Sequence, residues 1–462
     1  MYDDPTVFVS VICLASLGLA LFVSMSPPFR FKVAGGLAVP LFFLPGLPLS
    51  VGQICFLLMG AVVLVDRRIV GHATSVTVLL SLVTLATLLS TIWSPDIDEA
   101  TGEILRLLMF SSLIYYAVAL ARQNLENLDH ALAWAAPWLM LQAILVIAFR
   151  LSPDSETAFL QSRFATVIVG PFARSLFNGS PNNVLDPVKS GGLFVNANVA
   201  SMYGGISLFV LLILYRRTNN KIWLFAATFV WASVFFTGSK TGIALAIAMP
   251  VLAFLMSRLR SKSGVQYLAL SAVVTLPATL SLIQKSLLQV APGFSGESEN
   301  SYATRTEIWT AAASMFEDRP LYGLGFGGWE ERIGTYIGRS DYPPHNILID
   351  AWSKTGIIGV LAVSCFLGII LIRYIVVARS ANDKQLLQVN AYGMAAWSWV
   401  FIHGMGDNTG IYGEWKSMFL LATLIGYQTV AVDLASRKPL DSQRFTDSSA
   451  KLEGLINAAP RV

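Results

Sequence analysis

The chain has 462 residues, 55% hydrophobic and 13% charged, with a formal net charge of +4 and a mean hydropathy of +0.61. Soluble domains carry about 25% charged residues, so a soluble globular domain is excluded. The small positive balance is spread through connecting loops and gives no basis for binding nucleic acid.

Apolar stretches close to the ~20 residues needed to cross a bilayer recur along the chain. They cover 6–25, 33–48, 51–66, 73–93, 103–121, 130–149, 198–215, 221–237, 241–257, 264–283, 356–377, 386–406 and 409–431. This pattern predicts an all-α polytopic membrane protein of about 12 or 13 spans, the second and third being short and close together. The beginning, MYDDPTVF, is acidic where the n-region of a signal peptide would be basic, so no cleavable signal is expected. Cys13, Cys55 and Cys365 all lie in apolar runs without C-x-x-C spacing and read as packing residues, with no disulfide or metal implied. Basic clusters at Arg30/Lys32, Arg67/Arg68, Arg216/Arg217/Lys221, Arg258/Arg260/Lys262, Arg373/Arg379/Lys384 and Arg437/Lys438 mark every second loop. Lys and Arg stay on the cytoplasmic side, which puts the amino terminus outside and the tail from about residue 432 inside.

Two outer connections, 150–197 and 285–344, are far longer than ordinary loops and are the natural place to look for function. The first closes on LFVNANVAS, where Asn196 and Asn198 either cap the following helix or bind sugar hydroxyls. Next comes the outer turn FFTGSKTGIAL, with Ser239 placed to cap a helix and Lys240 putting a positive charge at its outer end. The earlier glycine of a Walker motif is absent, so a P-loop is rejected.

In the second connection, TRTEIWTAAASMFEDRP predicts a helix from Arg305 to about Glu317, stopped by Pro320, with Thr304 and Glu307 at capping-box spacing. Ile308, Ala312 and Met315 form an apolar stripe that would lie on the membrane domain. Arg305 then falls in the first turn. It either pairs on the surface with Glu307 or Glu299, or grips a phosphate together with the free N–H groups of the helix end. GLGFGGW downstream reads as a flexible turn and lacks the strand of a dinucleotide fold.

The chain returns to the membrane through SDYPPHNILIDAWSKTGIIG. His345 follows two prolines at the mouth of a helix, where the dipole disfavours an imidazolium. A neutral ring at a water–membrane boundary is a competent general base; the alternative is a cap or interfacial anchor. Asp350 and Lys354 follow, either facing a cavity or simply pairing with each other. His72 and His130 fall on the cytoplasmic side. His403, near Asp407 and Glu414 at an outer edge, is the weaker candidate.

In this order, FVNANVAS, TGSKTG, TRTEIWTAAASMFEDRPLYGLGFGGW and PPHNILIDAWSKTGIIG resemble the superfamily of O-antigen ligases and Wzy-type O-antigen and exopolysaccharide polymerases, over roughly residues 190–375. The resemblance implies a GT-C-like fold whose large periplasmic loop carries a short amphipathic helix. It also implies a bacterial inner-membrane location with a periplasmic active site, and no cofactor, nucleotide sugar or required metal. The donor would be a glycan on undecaprenyl diphosphate and the acceptor a glycan hydroxyl, with polysaccharide assembly machinery as a further partner. By the same resemblance His345 is the catalytic histidine and Arg305 a diphosphate-binding arginine. A second family arginine falls at Lys240, which keeps the charge and loses the bidentate fork. Asn196, Asn198, Asn346 and Asp350 would support glycan or structure.

The organisation expected is residues 1–190 for the first helices and first long loop, 191–431 for the catalytic membrane domain, and 432–462 for a cytoplasmic tail. The activity implied is inverting glycan transfer, as a polymerase of repeat units by the resemblance of the SKT turn, with a ligase acting on lipid A core as the alternative. A transporter or flippase also fits the hydropathy. It would show internal repeats and midplane charges, whereas the polar residues here collect at the outer surface.

Overall fold

A computed structural model describes residues 16–258 and 296–436, apart from residues 19, 41, 44–48, 67, 68, 70, 71, 73, 171, 172, 174, 178–184, 340 and 341. Its helices are α1 (Pro27–Leu37), α2 (Val51–Val65), α3 (Ser75–Ser90), α4 (Ile97–Gln123), α5 (Glu126–Leu151), α6 (Pro153–Gln161), α7 (Arg163–Ile168) and α8 (Ala197–Thr218). They continue as α9 (Lys221–Phe236), α10 (Lys240–Arg258), α11 (Gly296–Asp318), α12 (Gly328–Ile337), α13 (Ile347–Ser380), α14 (Lys384–Gly404) and α15 (Met418–Ala435). No strand occurs among the described residues. Six helical stretches there are long and apolar enough to cross a membrane: α4, α5, α8, α10, α13, and α15 with the 3-10 turn Trp415–Ser417 before it. The protein is an all-α polytopic membrane protein.

Side-chain caps start many of these helices. Ser50 and Gln53 form a capping box on α2, and Thr74 and Thr77 form one on α3. Asp96, Asn196, Asn220, Asn346 and Asp383 each accept from the first-turn N–H groups of α4, α8, α9, α13 and α14. Helix α8 is central and packs on α5, α9, α10 and α14, while α15 lies on α4 and α13 lies on α3. Lipid tails are as apolar as leucine, so such helices associate by close packing at small residues. At Gly426 a Cβ would come 2.9 Å from the Ala117 carbonyl oxygen, so α15 meets α4 backbone to backbone. At the end of the bundle away from the long connections, the Arg217 Nε–H donates to Asp129 Oδ1 at 2.7 Å, and the Tyr427 hydroxyl donates to the same oxygen at 2.6 Å.

Several expected boundaries are corrected. The span placed at 33–48 is α1, which ends at Leu37 ahead of Pro40, a residue that cannot continue a helix, and residues 41 and 44–48 lie outside the described residues. The span placed at 356–377 begins at Ile347, where Asn346 caps it; Gly356 lies inside α13 as a non-helical break (φ 69°, ψ −165°). The span placed at 409–431 starts later: residues 405–414 are a loop rich in glycine. The helix expected from Arg305 begins instead at Gly296. Thr304 and Glu307 therefore sit inside α11, form no capping box at its start, and leave Arg305 well past the first turn. The span at 264–283, most of 6–25, Cys13, Arg67/Arg68, Arg260/Lys262, Arg437/Lys438, the Glu299 side chain and the tail beyond 436 lie outside the described residues.

The large connection folds down on the bundle. The stripe of Ile308, Ala312 and Met315 is buried as expected, against Leu324, Trp329, Ile333 and Trp352. The glycine turn is built rather than flexible. Leu324 N–H donates to Ser353 O (2.7 Å), Phe326 N–H to Ser94 Oγ (2.9 Å) and Gly327 N–H to Glu99 Oε2 (3.0 Å). Gly323 and Gly356 both have positive φ, and their backbones touch: a Cβ on Gly356 would run into Leu321 O, and one on Gly323 into Trp352 O. The break in α13 is where the turn docks.

Candidate active site

Proline at 343 and 344 delivers the chain to α13 in a restricted conformation, and the Trp309 indole of α11 donates to Pro344 O at 3.2 Å. His345 adopts a left-handed backbone (φ 50°), a conformation that costs a non-glycine residue about 1–3 kcal/mol when imposed. It is held from both sides. Its N–H donates to Asn408 Oδ1 at 2.8 Å, and the next residue, Asn346, caps α13 by accepting from Leu348 N (2.9 Å) and Ile349 N (3.3 Å). The Asn346 amide also donates to Met405 O at 3.3 Å. The cap is therefore Asn346, and His345 is left to present its ring.

That ring faces a carboxylate. His345 Nδ1 lies 3.8 Å from Asp407 Oδ1, an ion-pair distance. Burial by itself would raise the Asp407 pKa. The imidazoles of His345 and His403 and the Asn408 N–H, which donates to Oδ1 at 2.8 Å, together hold it down to about 2. Asp407 is thus an ionised carboxylate in a site from which water is largely excluded (7% exposed), and its Oδ2 accepts no hydrogen bond among the described residues. Arg305 is half-buried on α11, where burial lowers its pKa and the Asp407 charge opposes that shift. His345, Arg305, Asp407 and His403 form one electrostatic cluster at the end of the bundle.

The other expected residues are placed around it. Asn196 is the α8 cap, accepting from Asn198 N (2.8 Å) and Val199 N (3.3 Å). The Asn198 backbone lies within electrostatic reach of His403. Lys240 is the exposed first residue of α10, whose start is capped by Ser239 Oγ accepting from Gly242 N at 3.1 Å. Asp350 pairs with Lys354 at 3.0 Å, and Lys354 also reaches Glu99 at 3.5 Å. No group of three or more metal-ligating side chains occurs among the described residues.

Residues 225–364 match the family model Wzy_C, described as O-antigen ligase. Over that segment the chain is similar to O-antigen ligases. No curated protein matches the chain. The matched segment runs from within α9 into α13 and contains Lys240, Arg305, His345, Asn346 and Asp350. Asn196 and Asn198 precede it, and Asp407, Asn408 and His403 follow it.

Asn408 and Asp407, the partners of His345, thus lie outside the matched segment. Sequence reasoning noted Asp407 only as a neighbour of His403 and assigned it no role. The available signal was Asp-Asn among the closely spaced glycines of HGMGDNTGIYG, a pattern that interrupts a helix rather than continues one.

The approach to the site is also built from groups that went unremarked. In the first long connection, Glu156 of α6 accepts from Gly191 N (2.9 Å) and Gly192 N (3.2 Å). Gln142 clasps Gly191 O and Leu193 N, and the buried Lys416 donates to Leu193 O at 2.6 Å. These contacts fix the turn that leads into the Asn196 cap.

Proposed function

We propose that the protein transfers a glycan from undecaprenyl diphosphate to an acceptor sugar hydroxyl, at the periplasmic face of a bacterial inner membrane, and that it polymerises repeat units. The match of residues 225–364 to the O-antigen ligase family model supports glycan transfer of the ligase or polymerase kind. The observation that carries the residue assignment is His345, its backbone N–H held by Asn408 and its ring turned toward the ionised Asp407 beside Arg305.

In this reading Nδ1 of His345 faces Asp407, which leaves Nε2 to accept the proton of the acceptor hydroxyl as its oxygen attacks the anomeric carbon. The bond from that carbon to the diphosphate oxygen breaks on the opposite side, so the configuration inverts and the electron pair leaves with undecaprenyl diphosphate. Asp407 stabilises the imidazolium, and the proton then passes to the leaving diphosphate or to water. Arg305 offsets the charge developing on the leaving group in a site of low water content, where such a cation acts strongly. Lys240, a point charge rather than a fork, adds to the positive field at the approach. Asn196 and Asn198 serve the glycan side through backbone placement.

The Lys240 turn, SKT, favours the polymerase over a ligase acting on lipid A core. The test uses purified protein in liposomes given only undecaprenyl-linked repeat units. A ladder of longer lipid-linked glycans is expected. Single units that persist until lipid A core is added, and then move onto it, identify a ligase.

A further inference from the structure

The end of the bundle away from the long connections carries charged side chains that glycan transfer leaves unused. Arg122, in the last turn of α4, donates through Nε to Asp433 Oδ2 of α15 at 3.1 Å and through Nη1 to His72 Nδ1 at 3.3 Å. A guanidinium has donors only, so the imidazole nitrogen accepts. His72 stands in the connection before α3, where burial and the Arg122 charge lower its pKa and keep the ring neutral near pH 7. Arg373 of α13 lies within electrostatic reach of both Arg122 and Asp433. Its Nη1 donates to Ser75 Oγ of α3 at 3.2 Å and its Nη2 to Thr429 Oγ1 of α15 at 3.1 Å. Its Nε is buried without a hydrogen-bond partner among the described residues.

Arg122, Arg373 and Asp433 together leave an excess of positive charge. The topology rule accounts for basic residues on this side, but loop positions would satisfy it. It does not call for a guanidinium inside α13 that sits on two neutral hydroxyls with one N–H left over. A buried donor without a partner is costly, and an anion seated against Arg373 removes that cost. The planar donor forks of two arginines select a phosphate. Its source follows from the surroundings. Val78, Leu82 and Leu85 follow Ser75 along α3, Ile372 precedes Arg373 in α13, and all four are exposed on two helices that pack together. A free phosphate would use the arginines alone, whereas a phospholipid uses the arginines and this apolar stripe.

We propose that Arg373 and Arg122 form the headgroup seat of an anionic phospholipid, its phosphate against the two guanidiniums and its chains along the exposed stripe of α3. The seat faces the leaflet on the side where basic residues gather, and basic side chains between membrane helices take such headgroups there. A lipid held this way joins α3, α4, α13 and α15 at the end opposite His345. It lies roughly 40 Å from that residue along α13, at 1.5 Å per residue, so the seat stands or falls independently of the glycan-transfer reading.

The experiment titrates the full-length protein in nonionic detergent with phosphatidylglycerol, with phosphatidylcholine and with inorganic phosphate, and counts bound molecules by native mass spectrometry. Wild type should bind the first phosphatidylglycerol more tightly than phosphatidylcholine. Arg373→Gln and Arg122→Gln should each weaken that first lipid about fivefold, the scale of one basic residue at an anionic lipid surface. Asp433→Asn removes the opposing carboxylate and should tighten it. The Asp433 side chain is 40% exposed, so this variant decides the matter if an arginine variant fails to fold. The proposal is overturned if the two lipids bind wild type equally, if the folded variants bind phosphatidylglycerol as wild type does, or if inorganic phosphate binds and phosphatidylglycerol does not.

Discussion

His345 was legible in the sequence because its chemistry is local: two prolines, a histidine and a capping asparagine in a row at the end of an outer connection. Asp407 was not. It reaches the histidine from more than sixty residues further on in the chain, through a short loop hidden inside what reads as two adjoining hydrophobic runs. The sequence points to Arg305 through its place in the first turn of a helix, whereas α11 begins at Gly296 and no helix end supports a phosphate there; its charged neighbour is Asp407. If Asp407 orients the ring and stabilises the imidazolium, Asp407→Asn should lower the turnover rate by about 10²-fold or more, the scale of a lost general-base contribution. Because its carboxyl is held to about 2, Asp407 stays ionised across the working range and adds no acid limb of its own to the pH–rate profile. A variant of near-normal rate at matched protein level would remove Asp407 from the mechanism. For the leaving group, Arg305→Ala should nearly eliminate transfer, and Lys240→Arg should retain more activity than Lys240→Ala. Wild-type rates in all three would return both cations to ordinary surface charges.

At the scale of elements, hydropathy located the spans, and the misses follow from what hydropathy cannot see. Leucine and valine continue through the prolines after α1 and through the glycines of the 405–414 loop, so apolar runs extended past helices that backbone chemistry had ended. Residues 347–355 looked like connection because Asp350 and Lys354 interrupt the apolar run. Once paired with each other and with Glu99, they are compatible with helix inside the bundle. The clasp at Glu156 left no sequence signal, because its partners are backbone N–H groups. Burial pushes its carboxyl up to about 7 despite the hydrogen bonds from Gly191 and Gly192. The sign follows from linkage. A carboxyl raised above its unfolded value of ~4.3 binds the extra proton in the folded state, so its stabilising contribution is complete below ~4.3 and lost as pH rises through about 7. Thermal unfolding in detergent should show the wild-type apparent Tm falling relative to that of Glu156→Gln between pH 5 and pH 8. Parallel curves for the two proteins would contradict a titrating Glu156.

At the scale of the molecule, one end of a helical bundle carries everything with chemistry. The Asn196 cap, the Lys240 turn, the α11–α12 cap, His345 and the Asp407 loop all gather there, while the opposite end holds the Asp129–Arg217–Tyr427 lock. The segment matched to the ligase family holds His345, Arg305 and Lys240, and the loop after α14, outside it, holds Asp407. A domain cut at the family boundary would lack Asp407. The account therefore turns on a single proton acceptor working in the intact chain. The most direct measurement is glycan transfer by purified wild-type and His345→Ala protein in liposomes, at equal reconstituted amounts and with undecaprenyl-linked repeat units as substrate. The account predicts transfer by the wild type and a loss of about 10²–10⁴-fold in the variant, with undecaprenyl diphosphate binding intact. Transfer by His345→Ala at a rate near that of wild type would contradict it.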